Sequence, residues 1–245
     1  MPDDNGDNGD ADELDPAFYT HGGISLSAEE QAALGDLHGK RLLLLGAGNG
    51  EDALSLVNLG ADVTVVDETE AMVEAKALSQ AARLPLRFVE GPSSAIPASL
   101  RNGGFDVVYA GFGGLGWVAD LDPWIVGIHD ALERGGALVV YDEHPFAFIV
   151  AGEKGRLTIA ASYFGDDDDE DNDSDSDSGP DQPEPNWTLG DIVTAIGAHD
   201  FQIDALLEFH ESERFATVLD DIEDVDPGYL ACVPGVFMLV ARKSH

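Results

Sequence analysis

The stretch KRLLLLGAGNGEDALSLVNLGADVTVVDE, from Lys40 to Glu68, constrains the fold more than any other part of the chain. It consists of an apolar run, a glycine-rich turn, a segment with helical periodicity and a second apolar run that ends in an acid. Short apolar runs rich in Val and Leu are typical of strands buried on both faces. The stretch therefore predicts a strand, a helix and a second, parallel strand.

The same alternation continues along the chain. Further apolar runs predict strands at LRFVEG, FDVVYAG, ALVVYDEHP, QIDALLEFHE and GVFMLVARK. Helical periodicity predicts helices at EAMVEAKALSQAA, at DPWIVGIHDALERGG with a glycine stop, and at NWTLGDIVTAIGAHDF, which Thr188 or Asn186 would cap. A short earlier helix is expected after the capping box of Ser27 and Glu30. Strands alternating with helices predict an α/β fold, with a mostly parallel sheet covered by helices on both faces.

Two acidic segments interrupt this pattern. Residues 1–19 are expected to form a disordered tail, and residues 165–185 a mobile insertion within one domain that spans 20–245. Asp171, Asp173 and Asp175 are spaced like the first ligands of an EF-hand calcium loop. Ser176 stands where that loop requires glycine, and Gln182 where it requires Glu, so a solvated acidic loop is the favoured interpretation.

The net charge argues against a nucleic-acid partner. The chain has 12 Lys plus Arg and 48 Asp plus Glu, a formal net charge of -36. Such a surface repels the phosphates of nucleic acids, and it repels itself unless salt screens it. We therefore expect a protein adapted to molar salt, as in the cytoplasm of a halophile, and no nucleic-acid partner. The alternative is an acidic interaction protein, which is less favoured because acids also occur throughout the segments predicted to fold.

Cysteine content and hydropathy bound the location. The single cysteine, Cys232, allows no disulfide within one chain, and no apolar run reaches the roughly 18 residues of a membrane span. The acidic N-terminus lacks the features of a signal peptide. We expect a cytoplasmic protein without a membrane partner, as a monomer or a homodimer.

The glycine turn, Gly46-Ala47-Gly48-Asn49-Gly50, predicts a ligand that approaches the backbone closely at a helix N-terminus. A dinucleotide-binding fingerprint would have a glycine at Glu51, and a P-loop would continue with Lys and Ser or Thr. Asp67 ends the second predicted strand, 21 residues after Gly46, where a carboxylate can accept hydrogen bonds from two ribose hydroxyls. Together they predict an adenosine-type ligand and leave its identity open. The alternative is a tight turn that binds nothing.

The order of these motifs resembles the class I S-adenosylmethionine-dependent methyltransferases, in a branch that acts on small molecules. The resemblance runs through HGGISLSAEEQAALGDLHGKRLLLLGAGNGEDALSLVNLGADVTVVDE, FDVVYAGFGGLGWVADLDPWIVGIHDALERGGALVVYDEHP, NWTLGDIVTAI and VPGVFMLVARK, or from about Thr20 to Lys243 without the acidic insertion. It implies a Rossmann-like sheet of seven strands in the order 3-2-1-4-5-7-6, with only strand 7 antiparallel. It also implies methyl transfer from S-adenosylmethionine to an unidentified acceptor, expected to be a small molecule.

The resemblance also implies roles for individual residues. The methionine part of the cofactor would lie against Gly46, Ala47, Gly48 and Gly50, and the ribose against Asp67. Glu68 and Met72 would flank the adenine, Ala110 and Gly111 would lie under the donor methyl, and Gly22 and Gly23 would form a flap. Three positions depart from the family pattern: Leu45 replaces an acid or Cys, Pro92 replaces an Asp and leaves its role to Ser93 and Ser94, and Ala110-Gly111 replaces a polar residue.

Two side chains are candidates for the acceptor side. Trp117 lies in the glycine-rich loop after the fourth predicted strand, where it either lines the acceptor pocket or packs in the core. His144 follows the fifth strand, where it either acts as a general base or caps the strand end. Tyr19 and His21 are weaker candidates, and the apolar residues Tyr163, Phe164 and Trp187 around the acidic insertion are expected to wall the pocket.

Two other functions are compatible with these motifs. The departure at Pro92 is compatible with a catalytically degenerate adenosine-cofactor-binding protein that acts as a partner or sensor. An NAD-dependent oxidoreductase is disfavoured, because Glu51 replaces the third glycine of the fingerprint.

Overall fold

The computed structural model describes residues 15–70, 72–165 and 187–244. The predictions for residues 1–14, for most of the acidic insertion and for its possible calcium ligands lie outside this part. The helices are α1 (Pro16–Thr20), α2 (Ala28–Leu34), α3 (Glu51–Asn58), α4 (Met72–Ala82), α5 (Leu121–Ala131), α6 (Leu189–Ala198) and α7 (Pro227–Leu230). The strands are β1 (Arg41–Leu45), β2 (Asp62–Asp67), β3 (Arg87–Glu90), β4 (Phe105–Ala110), β5 (Leu132–Glu143), β6 (Val150–Glu153), β7 (Arg156–Ile159), β8 (Phe201–Phe209) and β9 (Val236–Lys243).

The main sheet has seven strands in the order β3-β2-β1-β4-β5-β9-β8. The first five strands of this order are mutually parallel, and β9 pairs antiparallel with both β5 and β8. The predicted Rossmann-like order is therefore confirmed, with β8 and β9 as its sixth and seventh strands. Parallel β1, β2 and β4 end at the same edge of the sheet, so the segments that follow them meet there.

The core lies on both faces of this sheet. Leu42 and Leu44 of β1 pack on the face covered by α2, α3 and α4, whereas Leu43 and Leu45 pack on the face covered by α5 and α6. Successive side chains of a strand point to opposite faces, so a strand covered on both must be apolar throughout. This explains the unbroken run of leucines in β1.

The ends of two predicted segments differ from the structure. The predicted helix DPWIVGIHDALERGG ends at Ala131, before its glycines, because Leu132 already pairs with Phe105 as the start of β5. At the N-terminus, the predicted tail reaches residue 19, but Asp15 caps α1 by accepting a hydrogen bond from Ala17 N at 2.8 Å. Tyr19 in this helix is buried, so the folded domain begins before Thr20.

A second, two-stranded sheet of β6 and β7 was not predicted. Its turn docks on the connection between β8 and β9: Lys154 N donates to Asp224 Oδ2 at 2.8 Å, and Gly155 N donates to Asp224 O at 3.0 Å. A small core of Ala147, Ile149, Val150 and Leu219 lies beneath it. The hairpin therefore joins the segment after β5 to the segment before β9.

Within the described ranges, no helix combines the length and the apolar character needed to cross a membrane.

Candidate functional site

The glycine turn joins β1 to α3 with a left-handed backbone. Gly46 has a φ of 93° and Gly48 a φ of 48°, and a Cβ at either position would have no atom within 4 Å. Gly50 has a different role, because a Cβ there would lie 2.8 Å from Ala75 Cα of α4. Gly46 and Gly48 thus leave bare backbone open to a ligand, whereas Gly50 lets α3 and α4 pack closely.

Asp67 connects the end of β2 to this turn. Its Oδ2 accepts a hydrogen bond from Ala47 N at 2.6 Å, and its Oδ1 accepts one from Glu68 N at 2.8 Å. Each carboxylate oxygen has two lone-pair positions, so both can accept a further hydrogen bond. The carboxylate is therefore fixed beside the glycine turn and remains able to bind hydroxyl donors.

A cleft of about 650 Å³ opens over the carboxyl ends of β1, β2 and β4. This volume lies within the range of small-molecule sites, about 300–1,000 Å³. Nine of the predicted site residues line it: Gly46, Ala47, Gly48, Asp67, Glu68, Ser93, Ser94, Gly111 and Trp117. Pro92 also lines the cleft, at the position of the departure from the family pattern. Trp117 is 54% exposed on a short 3-10 turn, so it lines the cleft and does not pack in the core.

Five predicted cofactor residues do not line the cleft. Gly50 packs against α4, and Met72 and Ala110 are core residues with at most 4% of their surface exposed. Gly23 O accepts a hydrogen bond from Asn58 Nδ2 at 2.8 Å, and a Cβ at Gly23 would lie 2.5 Å from the ring of Phe18. Gly23 is therefore held between α1 and α3, Gly22 is exposed, and neither is among the residues that line the cleft.

His144 is also absent from the cleft lining. Its Nδ1 accepts a hydrogen bond from Phe146 N at 3.0 Å, so its Nε2 carries the proton and donates to Glu208 Oε1 at 2.9 Å. Burial lowers the pKa of this imidazole, and the neighbouring Glu208 opposes that shift. Both ring nitrogens are engaged away from the cleft, so the alternative prediction, that His144 caps the strand end, fits its position better than a general base does.

The weaker candidates, Tyr19 and His21, and the three residues predicted to wall the pocket also make contacts outside the large cleft. Tyr19 donates from its hydroxyl to Glu51 Oε1 at 2.9 Å, and burial raises its pKa to about 12. His21 Nδ1 bonds Ala17 O at 2.6 Å within its own turn. Trp187 lines a smaller cavity of about 60 Å³ and donates to Val118 O at 2.7 Å, whereas Phe164 is 85% exposed. Tyr163 accepts a hydrogen bond from Leu189 N at 3.0 Å. None of these five side chains walls the large cleft.

Sequence reasoning missed the aromatic end of the cleft. Phe112, after β4, and Phe215, in the connection between β8 and β9, both line it. Their rings stack with centroids 4.5 Å apart and an interplanar angle of 13°. Phe112 could have been suspected from its place beside Gly111, but no local pattern marks Phe215, because its segment is irregular.

A buried ionic cluster supports this aromatic pair. Arg214 donates through Nη1 to Glu30 Oε1 at 2.6 Å and through Nη2 to Asp52 Oδ1. Tyr109 also donates to Glu30 Oε1, at 2.6 Å. Burial raises the pKa of Asp52 although Arg214 acts in the opposite direction, and burial raises the pKa of Tyr109 well above its ordinary value. The cluster thereby ties α2, α3 and the segment that carries Phe215 together.

Asp142 was also missed, although it lies two residues before the predicted His144. It is 4% exposed, and its carboxylate accepts hydrogen bonds at 2.8 Å from Gly113 N and Leu115 N, in the loop that carries Trp117. Burial raises its pKa to about 6, against the effect of these backbone donors.

Among the described residues, no group of His, Cys, Asp and Glu could hold a metal ion.

Comparison with known proteins supports one class of function for this site. The family profile described as "Methyltransferase domain" matches residues 43–140. A demethylmenaquinone methyltransferase from Beutenbergia cavernae is 34% identical over 111 residues, which are 44% of this chain and 42% of that protein. The chain thus matches less than half the length of this relative.

Solved structures share the fold over nearly the whole chain. An S-adenosylmethionine-dependent methyltransferase from Listeria monocytogenes superposes with a TM-score of 0.67 at 19% identity, covering 94% of this chain and 98% of that one. An S-adenosylmethionine-dependent methyltransferase from Mesorhizobium loti superposes with a TM-score of 0.61 at 18% identity, covering 90% and 98%. At these identities the superpositions establish the fold.

Proposed function

Because the chain belongs to the class I S-adenosylmethionine-dependent methyltransferases, we propose that it transfers a methyl group from S-adenosylmethionine to a small-molecule acceptor held in the large cleft. One observation carries the proposal. The bare glycine turn, the carboxylate of Asp67 and an aromatic wall line the same cleft at the carboxyl ends of β1, β2 and β4. A single cleft can therefore hold the donor and the acceptor side by side.

The lining residues suit the parts of this cofactor. Asp67 is fixed by Ala47 N and Glu68 N, and its remaining lone pairs would accept hydrogen bonds from the ribose hydroxyls. The backbone of Gly46 and Gly48 would lie against the methionine part, where a side chain would fill the space. Glu68, Ser93 and Ser94 lie on the Asp67 side of the cleft and would border the adenine.

The protein has little covalent chemistry to perform in this reaction. When bound, S-adenosylmethionine would supply the methyl group on its sulfonium sulfur: a nucleophile of the acceptor would bond to the methyl carbon as the carbon–sulfur bond breaks, and S-adenosylhomocysteine would be the leaving group. The contribution of the chain is to align the two partners and keep bulk water away from them. Phe112, Trp117 and Phe215 would perform this task on the acceptor side. The position of His144 supports no role for it in removing a proton from the acceptor.

Calorimetry with S-adenosylhomocysteine and with NAD, in molar KCl, tests the cofactor assignment. We expect S-adenosylhomocysteine to bind and NAD to bind far more weakly. Replacing Asp67 with Ala should weaken S-adenosylhomocysteine binding by about 1.5–3 kcal/mol, because charge-assisted hydrogen bonds to the ribose are lost. Asp62, exposed at the opposite end of the same strand, provides the matched control, and Asp62→Ala should bind like the unmodified protein.

Equal affinity of Asp67→Ala and the unmodified protein would refute the role of Asp67. Tight binding of NAD in preference to S-adenosylhomocysteine would refute the cofactor. A protein that binds S-adenosylhomocysteine but releases none of it from S-adenosylmethionine with any small-molecule acceptor would favour the alternative, a cofactor-binding protein that has lost catalysis.

A further inference from the structure

The large cleft has two chemically different ends. It crosses the carboxyl ends of β2, β1 and β4, which are neighbours in the sheet. Asp67 ends β2 and Glu68 follows it, and these two residues form the polar end, whereas the glycine turn follows β1 in the middle. Phe112 and Trp117 follow β4 and form the aromatic end together with Phe215. A donor whose ribose binds Asp67 leaves the aromatic end for the acceptor.

The aromatic end offers flat apolar surfaces. Phe112 and Phe215 stack on each other with centroids 4.5 Å apart, and both side chains are only partly buried, so the pair contributes apolar ring surface to the cleft lining. The indole of Trp117 is 54% exposed and forms another apolar surface in the same cleft. Aromatic rings gain energy by stacking in parallel-offset or edge-to-face arrangements, so these surfaces favour an acceptor that is itself a flat ring.

The charges around the cleft disfavour a negatively charged acceptor. Glu51, Asp52, Asp67 and Glu68 line it, and none of its lining residues in the described ranges is Lys, Arg or His. The nearest guanidinium, that of Arg214, is 9% exposed and is bound by Glu30 and Asp52. Its remaining contact with the site is the ring of Phe215, 4.5 Å away. An anionic acceptor would lose water beside carboxylates without gaining a cation in exchange.

We infer that the acceptor is a flat, unsaturated ring compound without negative charge, neutral or cationic, which docks on Phe112, Phe215 and Trp117. This inference rests on the methyl transfer proposed above. A cationic acceptor would also gain from the aromatic faces and the neighbouring carboxylates.

The test uses three probes that share a ring system and differ in charge: naphthylmethanol, naphthylmethylammonium and naphthoate. Each is titrated calorimetrically into the full-length protein saturated with S-adenosylhomocysteine, in molar KCl. We expect the neutral and cationic probes to bind, and naphthoate to bind about tenfold more weakly or worse. Naphthoate binding as tightly as the other two, or no binding by any of the three, would overturn the inference.

A Trp117→Ala variant then tests whether the probes bind at the aromatic end of the cleft. The exposed indole can be removed without opening the core, and we expect the neutral and cationic probes to lose up to about tenfold in affinity while S-adenosylhomocysteine binds unchanged. The matched control is Tyr229→Ala, which removes a 47% exposed aromatic side chain outside the cleft lining and should change neither affinity. Unchanged probe binding in Trp117→Ala would refute the aromatic site.

The two proposals fail in different ways. If S-adenosylhomocysteine does not bind, the proposed function fails, whatever the probes do. If S-adenosylhomocysteine binds and the probes do not follow the expected order of charge, the inference about the acceptor fails and the proposed function stands.

Discussion

Asp142 fixes the loop that brings Trp117 to the cleft. The ionised carboxylate satisfies three backbone donors, those of Gly113, Leu115 and Glu143, each at 2.8 Å. Burial nevertheless makes the charged form costly, and the pKa of the carboxyl rises from 3.8 to about 6. The stability that this carboxyl contributes is therefore expected to depend on pH.

Asp142→Asn should remove one component of the dependence of stability on pH. The pKa of Asp142 is higher in the folded state than in the unfolded state, so the folded state binds this proton more tightly. The stabilisation that protonation of Asp142 gives is therefore lost as pH rises from about 4 to about 6. The shift of about two pH units corresponds to at most about 3 kcal/mol of unfolding free energy. Asn cannot titrate, so the difference in unfolding free energy between the two proteins should change across this range.

Denaturant unfolding in molar KCl at a series of pH values measures this difference. The other acids titrate in both proteins and cancel in the comparison. Asp62→Asn, an exposed acid, serves as the control and should follow the unmodified protein. A pH-independent difference between Asp142→Asn and the unmodified protein would contradict the prediction.

At the scale of elements, the β6–β7 hairpin links the segment after β5 to the connection between β8 and β9, which carries Phe215. It docks on residues 218–226, which come shortly after Phe215. The contact depends on Gly152, where a Cβ would lie 1.8 Å from Glu223 O. The backbone of the hairpin and that of the connection are therefore in direct contact, without room for a side chain.

Gly152→Ala should displace the hairpin and lower the unfolding free energy by about 1–3 kcal/mol, as expected when a packed contact is overfilled. Gly197→Ala is the matched control, because a Cβ at this exposed position in α6 meets nothing within 4 Å and favours the helix. Thermal unfolding of the two variants checks the prediction. It is wrong if Gly152→Ala unfolds at the temperature of the unmodified protein.

At the scale of the whole molecule, the net charge of -36 works against the compact state. Glu29, Glu208, Glu211 and Glu213 even share one surface depression. Ions screen such repulsion over shorter distances as their concentration rises, to about 3 Å at 1 M. The stability of the fold is therefore expected to depend on salt more than on any single ion pair.

The melting temperature should rise between about 0.1 M and 2 M KCl, by about 2–4 °C for each kcal/mol of repulsion that is screened. Glu211→Gln together with Glu213→Gln should rise less, because the double variant has less repulsion to screen. Sucrose at matched osmolality separates screening from the exclusion of solutes, which also stabilises compact states. A melting temperature that does not rise with KCl would refute adaptation to high salt.

The sequence by itself determined the seven strands of the main sheet and helices α2 to α6, and with them half of the site. The unbroken apolar run of β1 reflects burial on both faces, and the helical periodicity of α3 reflects burial on one. The glycine turn and Asp67 lie next to the strand ends that position them. These are local patterns, and in a parallel sheet the strand ends meet at one edge whatever the other residues are. The polar end of the cleft could therefore be predicted. The exceptions are Gly50, Met72 and Ala110, which pack inside the core, and Gly22 and Gly23, which lie outside the lining.

Only the tertiary structure determined which residues form the acceptor side of the cleft. Phe215 meets Phe112 across 103 positions of the chain, and Arg214 meets Glu30 across 184 positions. These contacts form because irregular connections fold back on the sheet, and their paths depend on long-range packing that leaves no periodic pattern. The same packing turned His144 towards Glu208 and away from the cleft. Local sequence determines where a strand ends, whereas the side chains that gather there from distant segments are decided by the free energy of the whole fold.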